Sequence, residues 1–169
     1  MSETFLNTGK FAWEIVQANR PVVNVTSDYV NAIPEGARWE DLSPPAGTNY
    51  HTWEWLGPGL VLHDFSFTMQ LSWTYGVRYR GGGAYISNAA VTVLNHDVGV
   101  GGYQISINCR IGNIDPASGS TPRAPIPNIP IDVSLSFTNW FYGGGGTNRF
   151  TIQGNGGSTS RWDGNSYEP

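Results

Sequence analysis

The sequence holds one cysteine, one lysine and no long apolar run. With Cys109 alone, neither an intrachain disulfide nor a cysteine-based zinc site can form. Cys109 falls on the apolar parity of its segment, so a buried and inert thiol is expected. No apolar stretch approaches the ~20 residues of a membrane helix. The start, Met1 to Phe5, lacks the basic and apolar regions of a signal peptide. A soluble chain is expected, extracellular or particle-associated, and membrane insertion is not. Charge is scarce as well. Charged residues make up 13% and the net charge is −4, so no basic surface for nucleic acid is expected.

Catalytic signatures are also missing. There is no Gly-x-Ser-x-Gly elbow and no Cys/His pattern. The glycine runs at 81–83 and 143–146 are not followed by Gly-Lys-Ser/Thr, so they are not phosphate loops, and Gly143–Gly146 is expected to turn the chain. Glu14, Glu54, Asp64 and Asp132 are carboxylates available for a hydrolytic pair, but no spacing singles out two of them. His51, His63 and His96 lie in separate segments, and the dipeptides His63-Asp64 and His96-Asp97 point neighbouring side chains to opposite faces of a strand. No metal, no cofactor and no enzymatic activity are expected.

What the chain does have is glycine, proline and aromatic residues: 22 Gly, 11 Pro and 13% Phe, Trp and Tyr. That mixture describes short strands joined by tight turns. The clearest strand runs from Phe65 to Tyr79, where every odd position is apolar or aromatic and every even one small, polar or basic. At ~3.3 Å per residue it would span roughly 50 Å, unless Gly76 bends it in two. Similar alternation marks Phe11 to Ile15, Tyr103 to Ile111 and Ile131 to Thr138, with weaker strands at Val22–Thr26, Ala84–Asn95 and Arg149–Gln153. Residues 1–10 read as an arm, 31–59 and 113–130 as long loops, and 154–169 as a Gly/Ser-rich tail. The pattern predicts one domain over 1–169: all-β, a two-sheet antiparallel β-sandwich or jelly roll of about eight strands.

Two features carry functional expectation. Aromatics fall in or beside the loop-like stretches, among them Trp53, Trp55, Tyr85, Trp140 and Tyr142, with Asn148 and Arg149 nearby. Sugars are held by aromatic faces stacked on their C–H surfaces and by amide or guanidinium groups on their hydroxyls, so these seven are the candidate ligand-binding residues. The second feature is the absence of charge from 65–77, 81–95, 98–109 and 133–148, where exposed sheet faces ordinarily carry it. Such faces suit cover by a glycan, a neighbouring subunit or a pore lumen. The leading expectation is a non-enzymatic carbohydrate-binding module, a lectin, adhesin or receptor-binding domain, whose partner is a glycan or cell-surface receptor. The alternative is a self-assembling structural subunit of a virus or phage particle or of a fibre, and a homo-oligomer is expected. A β-pore-forming toxin is the third reading.

Overall fold

The computed structural model describes residues 11–17, 21–23, 30–34, 37–57, 65–99, 103–138 and 143–164. In chain order the strands are β1 (Phe11–Gln17), β2 (Pro21–Val23), β3 (Val30–Ala32), β4 (Gly47–Leu56), β5 (Phe65–Tyr79), β6 (Gly82–Val98), β7 (Gln104–Ile111), β8 (Asp115–Pro116), β9 (Pro127–Thr138), β10 (Gly143–Gln153) and β11 (Ser158–Gly164). One 3₁₀ turn, Trp39–Asp41, is the only helical element among the described residues. All pairings are antiparallel.

The strands form two sheets. One runs β11-β10-β9-β7-β1-β2, with β8 beside β9; the other runs β3-β6-β5-β4. The chain passes between sheets only twice along this order, from β2 to β3 and from β6 to β7. Consecutive strands therefore stay together as hairpins, and the two-sheet antiparallel sandwich is the form the fold takes. In the smaller sheet the meander β4-β5-β6 is joined by β3, which returns beside β6 in the manner of a Greek key.

The alternation in Phe65–Tyr79 does what its period demands. Phe65, Phe67, Met69, Leu71 and Trp73 are at most 3% exposed, while the residues between them are only half-buried. They pack against Ile105 and Ile107 of β7, Ile131 and Val133 of β9, and Phe150 and Ile152 of β10 in one core cluster. At one end Phe65 meets Tyr103 and Phe137 edge-on, with ring centroids 5.4 and 5.1 Å apart. At the other, the sheets are stitched by hydrogen bonds: the Gly76 N–H donates to the Gly154 carbonyl (2.8 Å), and the Ala84 N–H to that of Pro125 (2.9 Å).

Gly76 (φ 77°) bends β5 without ending it, because its partners on β6 shift register around it. Beyond the bend, Val77 and Tyr85 leave the main core and join Ile33 in a second cluster. Arg80 and Gly81 both take positive φ (49° and 79°) in the two-residue loop between Tyr79 and Gly82, the signature of a type I′ hairpin.

Four segments differ from expectation. The stretch 31–59 is not one long loop, since the last two residues of β3 and the ten residues of β4 lie within it. Gly143–Gly146 is not a turn but the first third of β10, paired with β9. The expected tail contains β11, and the expected loop 113–130 contains β8 and the first four residues of β9. The expected arm 1–10 and residues 24–26 of the second strand lie outside the described residues.

Candidate functional site

The inner face of β4 carries Asn49, His51, Trp53 and Trp55, set opposite Trp73, Leu71, Met69 and Phe67 of β5. Trp55 is 5% exposed and belongs to the core. Trp53 is half-buried; its ring lies 4.7 Å from that of Phe150 and 5.9 Å from that of Trp55. Both indole N–H groups are enclosed without a hydrogen-bond partner among the described residues, as is that of Trp73. Tyr85 is 2% exposed in the second cluster. So Trp53, Trp55 and Tyr85 stand on strands rather than loops, the last two buried and Trp53 half-buried. They hold the sandwich together.

Asn148 and Arg149 are neighbours on β10 and point to opposite faces. The Asn148 side-chain oxygen Oδ1 is enclosed and has no hydrogen-bond partner among the described residues, while Arg149 is exposed on the outside of the larger sheet. There its Nε lies 3.2 Å from Asp163 and 3.9 Å from Asp132, and Arg161 reaches Asp163 at 2.8 Å. The register sets Arg110, Asp132, Arg149 and Arg161 in one row across β7, β9, β10 and β11. Arg149 is thus engaged in an ion-pair row, and the described candidates do not converge on one site. Trp140 and Tyr142 lie outside the described residues.

The hydrolytic pair fares similarly. Glu54 is on the outer face of the smaller sheet and Asp132 on the outer face of the larger one, so the core separates them. Glu14 and Asp64 are not among the residues whose side chains are described. His51 packs edge-on to Phe150 (5.1 Å) and His96 stacks on Phe67 (6.3 Å), each ring with its own partner, and His63 lies outside the described residues. Among the described residues no cluster of three His, Cys, Asp or Glu is placed to hold a metal ion, and no helix is long and apolar enough to cross a membrane.

The surface that stands out is the outer face of the smaller sheet. Register aligns Thr48-Thr74-Asn88, Tyr50-Ser72-Ala90 and Thr52-Gln70-Thr92 in three successive rows across β4, β5 and β6. None of the nine residues is charged. Tyr50 is 63% exposed, and small Ser72 and Ala90 lie level with it in the same row. The flanking rows are held in order by hydrogen bonds: Thr48 and Thr74 hydroxyls meet at 3.0 Å, and the Gln70 amide donates to the Thr52 hydroxyl at 3.3 Å. Asn31, between core residues Val30 and Ala32 on β3, continues the outer face past β6. Charge returns only at the ends, with Glu54 and Asp97 at one and Arg78 at the other.

Tyr50 escapes a reading from the sequence because β4 shows no apolar alternation. Its inner face mixes Gly47, Asn49 and His51 with two tryptophans, so nothing marks which parity is outside. The missing charge in 65–77 and 81–95 was the usable signal, since those stretches are the two central strands of this sheet. Models of known protein families, curated proteins and solved structures give no match to this chain.

Proposed function

We propose that the protein binds a neutral carbohydrate on the outer face of β3-β6-β5-β4, with Tyr50 as the stacking platform. The observation that carries this reading is one widely exposed aromatic ring set in three rows of hydroxyl, amide and methyl side chains without charge. A sugar ring presents one C–H face and an equatorial belt of hydroxyls. An aromatic face takes the first, and Thr, Ser, Gln and Asn, each both donor and acceptor, take the second. Small residues beside the ring leave room for the pyranose to lie flat. The acidic end of the face, Glu54 and Asp97, disfavours anionic sugars, because like charges repel.

This keeps the expected ligand class and moves the site from loop aromatics to a sheet face. The test is a glycan array probed with the native protein and with Tyr50→Ala. The native protein should bind uncharged glycans, and the variant should lose that binding while keeping its thermal midpoint, because Tyr50 contributes nothing to the core. No binding by the native protein, or undiminished binding by Tyr50→Ala, contradicts the proposal.

A further inference from the structure

A strand at a sheet edge offers a row of unpaired backbone groups, and stable proteins guard it with bulges, prolines, charged side chains or brevity. Among the described residues the two sheets end in four edge strands, and three of them carry such guards. β3 has three residues and a register shift against β6. β2 is equally short and begins with Pro21. β11 carries Arg161 and Asp163 among its seven residues. The fourth edge, β4, is the least guarded. It pairs with β5 over ten residues without a register shift, contains neither proline nor lysine, and has Glu54 as its one charge.

The direction of the backbone groups it does not share with β5 follows from one bond. The Gly57 N–H donates to the Phe65 carbonyl at 2.7 Å, just past the last pair, Leu56 with Ser66. Antiparallel pairs alternate between bonded and non-bonded, so Asn49, His51, Trp53 and Trp55 bond to β5. Thr48, Tyr50, Thr52, Glu54 and Leu56 direct their N–H and C=O groups away from the sheet.

We infer that this edge pairs with β4 of a second copy, antiparallel about a two-fold axis at Thr52, to make one continuous sheet across two sandwiches. That axis sets Thr52 against Thr52, Tyr50 against Glu54 and Thr48 against Leu56, so every outward-bonding residue meets another. It also places each Tyr50 hydroxyl to donate to the other copy's Glu54 carboxylate. An axis at Glu54 would oppose two carboxylates, and one at Tyr50 would leave Glu54 and Leu56 beyond the pairing. The strand is therefore complementary to itself in one register, which is the condition for a two-fold interface. Such a dimer joins two Tyr50 faces into one surface, though the interface stands on the edge alone and not on what that face binds.

The test is sedimentation velocity over a wide concentration range on the native protein and on Thr52→Pro. Proline at 52 removes an outward N–H and the Thr52 hydroxyl that accepts from Gln70, and leaves the backbone bonds to β5 in place. The native protein should dimerise, and Thr52→Pro should raise the dimer dissociation constant about tenfold or more with an unchanged strand spectrum. Should Thr52→Pro not fold, hydrogen exchange on the native protein decides. The amides of Thr48, Tyr50, Thr52 and Glu54 should gain protection as concentration rises. A native protein that stays monomeric, a Thr52→Pro dimer as tight as native, or protection independent of concentration overturns the inference. So does a native monomer whose β4 edge captures a foreign extended peptide. Loss of glycan binding in a protein that still dimerises would count against the proposed ligand alone.

Discussion

The thiol of Cys109 stands opposite Val133 on the inner face of β7, 5% exposed. Burial, and after it the negative charge of Asp132, pushes its pKa from 9.0 up to about 12. The folded state therefore keeps the proton where the unfolded chain gives it up. Stability from this group is complete below pH 9 and is lost as pH rises from there towards 12. At pH 8 a disulfide reagent should leave native Cys109 untouched and label it once the protein is unfolded; rapid labelling of the native state would contradict the burial. The two faces of β5 differ as sharply. Leu71→Ala should cost about 2–5 kcal/mol in a denaturant titration, because Leu71 is wholly enclosed. Ser72→Ala on the outer face should cost about 0.5 kcal/mol or less. Trp55→Ala should behave as a core deletion, losing about 3–5 kcal/mol, which distinguishes a packing tryptophan from a sugar platform.

Among the elements, legibility tracked one property: whether the inner face of a strand is uniformly apolar. β5, β7 and β9 bury aliphatic and aromatic residues at every second position, and their alternation showed from the sequence within a residue or two at most ends. β9 begins earlier, at Pro127, because its first residues alternate Pro with Asn and Ile and so resemble the proline-rich loop before them. β4 mixes Gly, Asn, His and Trp on its inner face, and β11 offers only Trp162 there, so both read as loop and tail. The glycines opening β10 read as a turn for a related reason, since a strand without side chains has no parity to see. Their smallness has a structural use. A Cβ on Gly145 would run into the Leu135 carbonyl oxygen, and one on Gly146 into the Trp162 indole. Gly145→Ala should therefore destabilise by about 1–3 kcal/mol, measured by thermal and chemical unfolding. A neutral effect would show that β9 and β10 do not approach as closely as this pairing requires. The candidate site was legible only as missing charge, because Tyr50 has no neighbour in sequence to mark it.

Across the whole molecule the two outer faces differ in kind. The larger sheet crosses its outside with the row Arg110, Asp132, Arg149 and Arg161, whose exposed ion pairs contribute little to stability. The smaller sheet shows three rows with no charge at all and one protruding ring. The measurement that bears most directly on this contrast is glycan binding by Ser72→Arg, which sets a long cation beside Tyr50 in the middle row. Thermal stability and sedimentation should match the native protein, because Ser72 faces outward and its backbone bonds stay within the sheet. Binding to the neutral glycan should fall to background, since the guanidinium fills the space beside the ring and must be desolvated without a partner. A Ser72→Arg protein that remains folded and binds its glycan as tightly as native would contradict the assignment of this face.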